Sequence, residues 1–369
     1  MIKNNVICQG NTTIMKKITT DTYDVLFGIE AYNLLGNFLR EKDYSKIFII
    51  TDSNCHEYCV PRFLAHLPTQ IPFEIIEVDN GESSKTIETC ISIWQVLTEL
   101  GADRKSVIIN VGGGVITDLG GFIASTFKRG IDHIQIPTSL LGMVDASIGG
   151  KTGIDLDGIK NQIGTFTSPK MVVIDAEYLE TLESRELRAG YAEMLKHALI
   201  YDVNYWNVLK DTANIDFNDL ESLIYHSVFI KNEIVTQDPE EKGIRKCLNF
   251  GHTLGHGLES YFLYNNDKEL LLHGEAVAIG IILESYLSWR KGSIDENIYK
   301  DIKSVILSIF PKVILSAEDI NGVKEWLKHD KKSIKNIVQF VLLKGIGGFE
   351  LNQHVDGQLI DDAFEDYLR

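Results

Sequence analysis

The sequence predicts an α/β fold: a mostly parallel sheet covered by helices, followed by a largely helical half. Three observations predict it. Short β-branched runs alternate with helical patterns through the first half, one of those runs leads directly into a glycine-rich turn, and after about Tyr178 long helical periods take over.

The strands are read first. Lys46–Thr51 (KIFIIT), Phe73–Val78 (FEIIEV), Ser106–Val111 (SVIINV), His133–Pro137 (HIQIP) and Met171–Asp175 (MVVID) are short, apolar and rich in Ile and Val. Between two of them, Thr86–Leu100 spaces Ile87, Ile91, Trp94 and Leu97 near one helical face. Further helices are expected near Asp219–Val235, Gly274–Trp289 and Glu296–Phe310, and the run Ile337–Leu343 is open to strand or helix. There is no internal repeat, low-complexity tract or Pro/Gly/Ser-rich linker. The boundary between residues 1–177 and 178–369 is therefore a change of structural class, not a tether, and a cleft between two such parts is the default place for a ligand.

Composition narrows the function. A chain of 369 residues with 44% hydrophobic residues has room for about two domains with real cores. No run of 18 apolar residues suggests a membrane span, and MIKNNVICQGNTTIMKK lacks the apolar segment of a signal peptide. Cys8, Cys55, Cys59, Cys90 and Cys247 form no CxxC pair, which suggests free thiols in a reducing cytoplasm. Cys55 and Cys59 have no nearby partners to complete a zinc site. The net charge of −16 argues against nucleic acid and anionic membranes, but not against a small anion met by a local cluster of Lys and Arg.

Such a cluster exists. Arg245, Asn249, His252 and His256 are spaced 4, 3 and 4 residues apart, so a continuous helix would carry them on one face. Arg and Asn suit an anion, and two His at i and i+4 suit a metal. Glu193 and Lys196 share a helix face, where an ordinary ion pair is the plain reading. Beside His252 and His273, however, Glu193 becomes a candidate third ligand. The strand ending at Val111 runs into Gly112-Gly113-Gly114, a turn that lets backbone N–H groups approach a phosphate at a helix N-terminus. Thr117 stands where the usual dinucleotide fingerprint has its third glycine. Lys151, after Gly149-Gly150, and Lys160 form a second plausible anion grip.

Together these blocks resemble the 3-dehydroquinate synthase family of sugar phosphate cyclases. The resemblance runs from about residue 45 to 350, through NGESSK (80–85), GGGVITDLGGF (112–122), RG (129–130), IPTSLLGMVDASIGGKTGIDLDGIKNQIGTF (136–166), LETLESRELRAGYAEMLKHALI (179–200), GIRKCLNFGHTLGHGLE (243–259) and HGEAVAIG (273–280). It implies a Rossmann-like NAD-binding domain, a mostly helical metal- and substrate-binding domain, and a homodimer. The implied metal, Zn2+ or Co2+, is held by Glu193, His252 and His273. The residues alone favour His256 as a ligand; the resemblance moves it to a hydrogen-bonding role near substrate. The implied NAD contacts are Asp52, Asn80, Glu82, Lys85, Gly113, Gly114, Val115, Asp118, Thr138, Ser139, Lys151, Lys160, Tyr178, Leu179, Thr181 and Leu182. The implied substrate residues are Asp145, Lys151, Asn161, Lys196, Lys231, Arg245, Asn249, His256 and a tail lysine, Lys331 or Lys332. Arg129 is implied to reach the phosphate across a dimer interface. The implied reaction converts 3-deoxy-D-arabino-heptulosonate 7-phosphate to 3-dehydroquinate by transient oxidation, phosphate elimination, re-reduction and intramolecular aldol closure.

Departures from the family pattern are small: Ser139 where Thr is common, Thr117 where Gly is common, and Cys247 where Ala is frequent. Sister cyclases compete with this reading. The inosose type tends to carry Glu where Asn249 stands, the valiolone type tends to lack the Gly-Gly-Lys and Asn-x-Gly-His patterns, and the aminodehydroquinate type shares the site residues. A metal-dependent polyol dehydrogenase would release NADH and have less use for Lys151, Lys231 and Arg245. A non-catalytic relative would have lost a ligand or a lysine, and none is lost.

Overall fold

The computed structural model describes residues 16–156, 159–211, 220–265, 267–327 and 338–369. A seven-stranded sheet organises the first half. Its strands are β1 (Lys17–Thr19), β2 (Asp24–Phe27), β3 (Ile47–Asp52), β4 (Phe73–Val78), β5 (Val107–Gly112), β6 (Asp132–Pro137) and β9 (Met171–Ile174), in the spatial order β1-β2-β9-β6-β5-β3-β4. Only β1–β2 pair antiparallel; the other neighbours in the sheet are parallel. Strands β7 (Lys151–Leu156) and β8 (Ile159–Phe166) form a separate antiparallel hairpin.

Alternation along β3 and β5 explains why both faces are covered. Ile47, Ile49, Val107 and Ile109 enter one core, whereas Phe48, Ile50 and Ile108 enter the other. Parallel strands buried on both faces read as unbroken apolar runs, which is why these strands were legible. Helices α1 (Ala31–Lys42), α2 (Ser53–Tyr58), α3 (Val60–His66), α4 (Ile87–Glu99) and α5 (Gly114–Thr126) connect them. The connection after β3 leads to β4 on one side and the connection after β5 to β6 on the other. Asp52 and Gly112–Gly114 therefore flank a topological switch point at the carboxyl ends of the strands.

The second half is helical: α6 (Ser184–Tyr201), α7 (Val203–Leu209), α8 (Leu220–Gln237), α9 (His252–Leu263), α10 (His273–Arg290), α11 (Glu296–Ile309), α12 (Ala317–Leu327) and α13 (Gly357–Leu368). The run left open between strand and helix is β10 (Phe340–Leu343), paired with β11 (Phe349–Gln353); Ile337 lies outside the described residues. Helix α10 is buried nearly all round and packs against α6, α9, α11 and α13. Two glycines permit this. A Cβ at Gly274 would overlap the Ala189 carbonyl of α6, and one at Gly280 would overlap the Gly251 carbonyl beside α9. Among the described residues, no helix is long and apolar enough to cross a membrane.

One sequence expectation is corrected. Arg245, Asn249, His252 and His256 do not lie on one continuous helix. Arg245 and Asn249 belong to a 3-10 turn, Ile244–Asn249, and the chain breaks at Phe250-Gly251 before α9 begins. Gly251 has a φ of 77°, which only glycine adopts without strain, and the break re-aims the two pairs independently. The segment with Lys151 and Lys160, read in the sequence only as an anion grip beside a Gly-Gly turn, is the β7–β8 hairpin. Strands β1 and β2 were missed because each is only a few residues long.

Gly280→Ala tests the close packing. In an ordinary helix interior the change stabilises by about 1 kcal/mol. Here it should destabilise by about 1–3 kcal/mol in urea unfolding, because backbone must move. A gain in stability would show that α9 and α10 are not in such contact.

Candidate functional site

Most of the implied nucleotide residues gather at one edge of the sheet because they follow the carboxyl ends of parallel strands; Asp118 lies within α5, and Lys151 and Lys160 lie on the β7–β8 hairpin. Asp52 ends β3 and caps α2 by accepting a hydrogen bond from the Cys55 N–H at 2.8 Å. Asn80, Glu82 and Lys85 follow β4. Gly113 caps α5, and Gly114 and Val115 form its first turn, so their N–H groups sit at the positive end of the helix dipole. Thr138 and Ser139 follow β6, and Tyr178, Leu179, Thr181 and Leu182 follow β9. The Tyr178 hydroxyl lies 2.7 Å from that of Tyr32, and Leu179 is buried, so both belong to the core.

Lys85 and Lys160 carry the positive charge on this side. Lys85, 3% exposed, donates to Asp118 at 2.7 Å and to Asn161 Oδ1 at 2.6 Å. Asn161 is thus placed at the nucleotide side. Lys160 lies 3.0 Å from Glu82 and donates to Glu259 at 2.5 Å. Arg129 is exposed at a positive φ of 70°, and Lys331 and Lys332 lie outside the described residues.

Three helices meet around Glu193. It comes from the middle of α6, while His252 and His273 are the first residues of α9 and α10. Glu193 Oε1 lies 3.2 Å from His252 Nε2 and 3.4 Å from His273 Nε2. Each imidazole is oriented from behind. His252 Nδ1 donates to the Phe250 carbonyl at 3.0 Å, and His273 Nδ1 is 3.1 Å from Glu259 Oε2. Both Nε2 atoms therefore face the same carboxylate oxygen. Glu284 of α10 accepts from the Gly251 and Leu254 N–H groups at 2.7 and 3.0 Å, tying the start of α9 to α10.

This arrangement demands a cation. Glu193 is 0% exposed, and neither carboxylate oxygen accepts a well-formed hydrogen bond, although the Lys196 ammonium pairs with Oε2. Burial would raise its pKa, yet Lys196 and His252 hold it well below the usual carboxylate range. Burial draws His273 down, but Glu259 and Glu193 push it up to about 10. Burial lowers His252 despite Glu193. A divalent ion bound by one carboxylate and two imidazoles fits this donor set. The ring of His256 lies 5.2 Å from that of His252 and 5.8 Å from that of His273, and the three His nitrogens also lie within 4.8 Å of one another. Asp145, Glu193 and His197 form another such group.

Beside Glu193 lies a cluster of buried cations. Asp145 sits in the π-helical turn Gly142–Ala146 after β6. Lys231 donates to its Oδ1 at 2.8 Å and to its carbonyl at 2.6 Å, and Lys196 is 3.7 Å away. His197, drawn by burial to about 4, points Nε2 at the same carboxylate from 3.6 Å. Lys151 pairs with Glu241, which also accepts from Asn249 at 2.5 Å. Arg245 is different. It is 1% exposed and donates to the Pro239 and Gly149 carbonyls at 2.5 and 3.1 Å, its Nε has no hydrogen-bond partner, and no carboxylate is within ion-pair distance among the described residues. The guanidinium is therefore buried with no carboxylate among the described residues in contact to neutralise it.

Profile matches cover both halves: 3-dehydroquinate synthase N-terminal over residues 75–189 and 3-dehydroquinate synthase C-terminal over residues 190–333. The chain is 40% identical to a 3-dehydroquinate synthase of Parabacteroides distasonis over 335 residues, 90% of this chain and 94% of that one. The chain belongs to the 3-dehydroquinate synthase family. Solved structures of sister enzymes share its fold. A 2-deoxy-scyllo-inosose synthase complexed with carbaglucose-6-phosphate, NAD+ and Co2+ matches with a TM-score of 0.82 at 23% identity, covering 95% of this chain and 99% of that one. ValA, a 2-epi-5-epi-valiolone synthase from Streptomyces hygroscopicus subsp. jinggangensis 5008 with NAD+ and Zn2+ bound, matches with a TM-score of 0.82 at 26% identity, covering 97% and 99%.

Sequence reasoning assigned no role to Glu241, Glu259 or Glu284. Glu259 left a signal: it stands seven residues after His252 and three after His256, so it shares their helix face. Glu284 left none, because its partners are about thirty residues away, and Glu241 left none, because it meets Lys151 and Asn249 only through the turn that precedes α9.

Arg245→Met tests the cluster. Stability should stay within about 1 kcal/mol of the parent, since relief of an unpaired buried charge offsets the lost carbonyl hydrogen bonds. Thermal stabilisation by millimolar inorganic phosphate should disappear. A loss of several kcal/mol would make Arg245 a structural residue instead.

Proposed function

We propose that the chain converts 3-deoxy-D-arabino-heptulosonate 7-phosphate to 3-dehydroquinate and phosphate, with NAD and Zn2+ or Co2+ as cofactors. One observation carries the reading: a buried carboxylate and two oriented imidazoles stand beside a cluster of Lys196, Lys231 and Arg245 in a chain of this family. Glu193, His252 and His273 would hold the metal. NAD would lie along the carboxyl edge of the sheet, against Asp52, Gly113, Gly114, Asp118, Lys85 and Lys160. When bound, the two groups supply reversible hydride transfer at a sugar hydroxyl and polarisation of its oxygen.

The chain's own residues do the rest. Arg245, Lys151, Asn249 and His256 bind the phosphate, and Lys331 or Lys332 and the partner subunit's Arg129 complete its enclosure. Lys196 and Lys231, held by Asp145, present ammonium protons to the sugar hydroxyls and orient the flexible intermediate. The substrate phosphate serves as its own base in the elimination. We place the division between the nucleotide part and the metal part at 177/178, and propose a homodimer working in the cytoplasm without nucleic acid or membrane partners.

Incubation with the heptulosonate phosphate and catalytic NAD should release one phosphate and one dehydroquinate per substrate by mass spectrometry. No net NADH should accumulate, and a chelator should stop turnover. Accumulating NADH with a plain polyol would move the protein among the dehydrogenases, and no turnover would move it to a sister cyclase. His273→Ala should lose the metal and at least roughly 100-fold in kcat/KM, with an unchanged circular dichroism spectrum. A fully active, metal-free variant would overturn the ligand assignment.

A further inference from the structure

Glu259 joins two groups of residues that have separate assignments. It lies on α9, 3% exposed, with one carboxylate oxygen on each side of a junction. Oε1 accepts from Lys160 Nζ at 2.5 Å, and Lys160 also lies 3.0 Å from Glu82 on the nucleotide side. Oε2 meets His273 Nδ1 at 3.1 Å, and His273 Nε2 faces Glu193. A continuous chain of charged contacts, Glu82–Lys160–Glu259–His273–Glu193, thus spans from the loop after β4 to the metal ligands.

We propose that Glu259 is a positioning residue through which dinucleotide binding at Lys160 tightens metal binding at His273. The inference rests on the NAD- and metal-dependent reading of the site. The Glu259 carboxylate is shared between an ammonium and an imidazole N–H. Its hold on Nδ1–H fixes the tautomer that leaves Nε2 free, and it makes the imidazole a stronger donor. When the dinucleotide diphosphate takes up part of the Lys160 charge, less of it is drawn on Glu259. More electron density then reaches His273. Coupling of this kind is reciprocal, so metal must tighten the dinucleotide by the same factor. Among the described residues no other carboxylate contacts both Lys160 and His273: Glu82 contacts Lys160, and Glu193 stands on the far side of the imidazole.

The test is zinc titration of metal-stripped, full-length protein against a chromophoric chelator, with and without saturating NAD. In the parent, NAD should tighten the zinc Kd by about 5-fold or more. Glu259→Gln can accept only one of the two hydrogen bonds. It should weaken zinc by about 10- to 100-fold, and the ratio of Kd values with and without NAD should fall to about 1. Lys160→Met, which leaves the Glu259–His273 contact in place and removes the charge that draws on Glu259, should bind zinc without NAD about as tightly as the parent does with NAD, and lose the NAD dependence. Either variant keeping the parent ratio overturns the inference, and Lys160→Met alone decides it if Glu259→Gln does not fold. A parent that binds zinc and NAD and turns over, alongside an indistinguishable Glu259→Gln, sinks the relay but leaves the activity intact. A parent that binds neither sinks both.

Discussion

Burial of the Glu193 carboxylate is the constraint on which the rest depends. A carboxylate removed from water needs opposite charge close by, or it must take up a proton. Lys196, one helical turn along, supplies one positive charge, and the imidazoles of His252 and His273 supply the donors for another. Those three side chains come from α6, α9 and α10, so satisfying Glu193 means bringing three helices together. The helices approach because Gly274 and Gly280 leave room for the Ala189 and Gly251 carbonyls. Arg185 of α6 clamps the start of α10 by donating to Glu275 at 2.7 Å. The stability of the helical half and the geometry of the site are therefore one problem with one solution.

The site also shows how an acidic protein can receive an anion. The net charge of −16 belongs mostly to the outer surface, whereas Lys85, Lys196, Lys231 and Arg245 are all buried. In the interior, a charge acts over a lower effective dielectric and is little screened by salt. Three of the four are paired with carboxylates, which anchor their positions. Arg245 is held by carbonyl oxygens instead, which orient a guanidinium without neutralising it. The cluster consequently keeps an excess of positive charge where the local geometry, not the overall balance, decides.

The covered parallel strands and the helical second half were legible in the sequence. The runs at β3, β5 and β9 were legible because strands buried on both faces are almost unbroken in Ile and Val, whereas β6 and the edge strand β4 show only Ile pairs or alternation between polar residues. The ordered blocks from NGESSK to HGEAVAIG carried the family, since so many charged and glycine positions in one order rarely coincide. What periodicity could not reveal was direction. The even spacing from Arg245 to His256 suggested one helix face, but a single glycine at φ 77° splits it, sending Arg245 toward Gly149 and His252 toward Glu193. The β7–β8 hairpin was hidden for a similar reason, because its partly exposed strands carry glycine and polar residues rather than an apolar run.

Tertiary structure alone decided which charges meet. Glu259 and Lys160 are separated by 99 residues, Glu284 and Gly251 by 33, and Lys231 and Asp145 by 86. A carboxylate in a helix reads the same in sequence whether it faces water or an imidazole. Only the packing of α9 against α10, with Lys160 of the hairpin reaching Glu259, removes the water and turns those residues into an oriented, charged site.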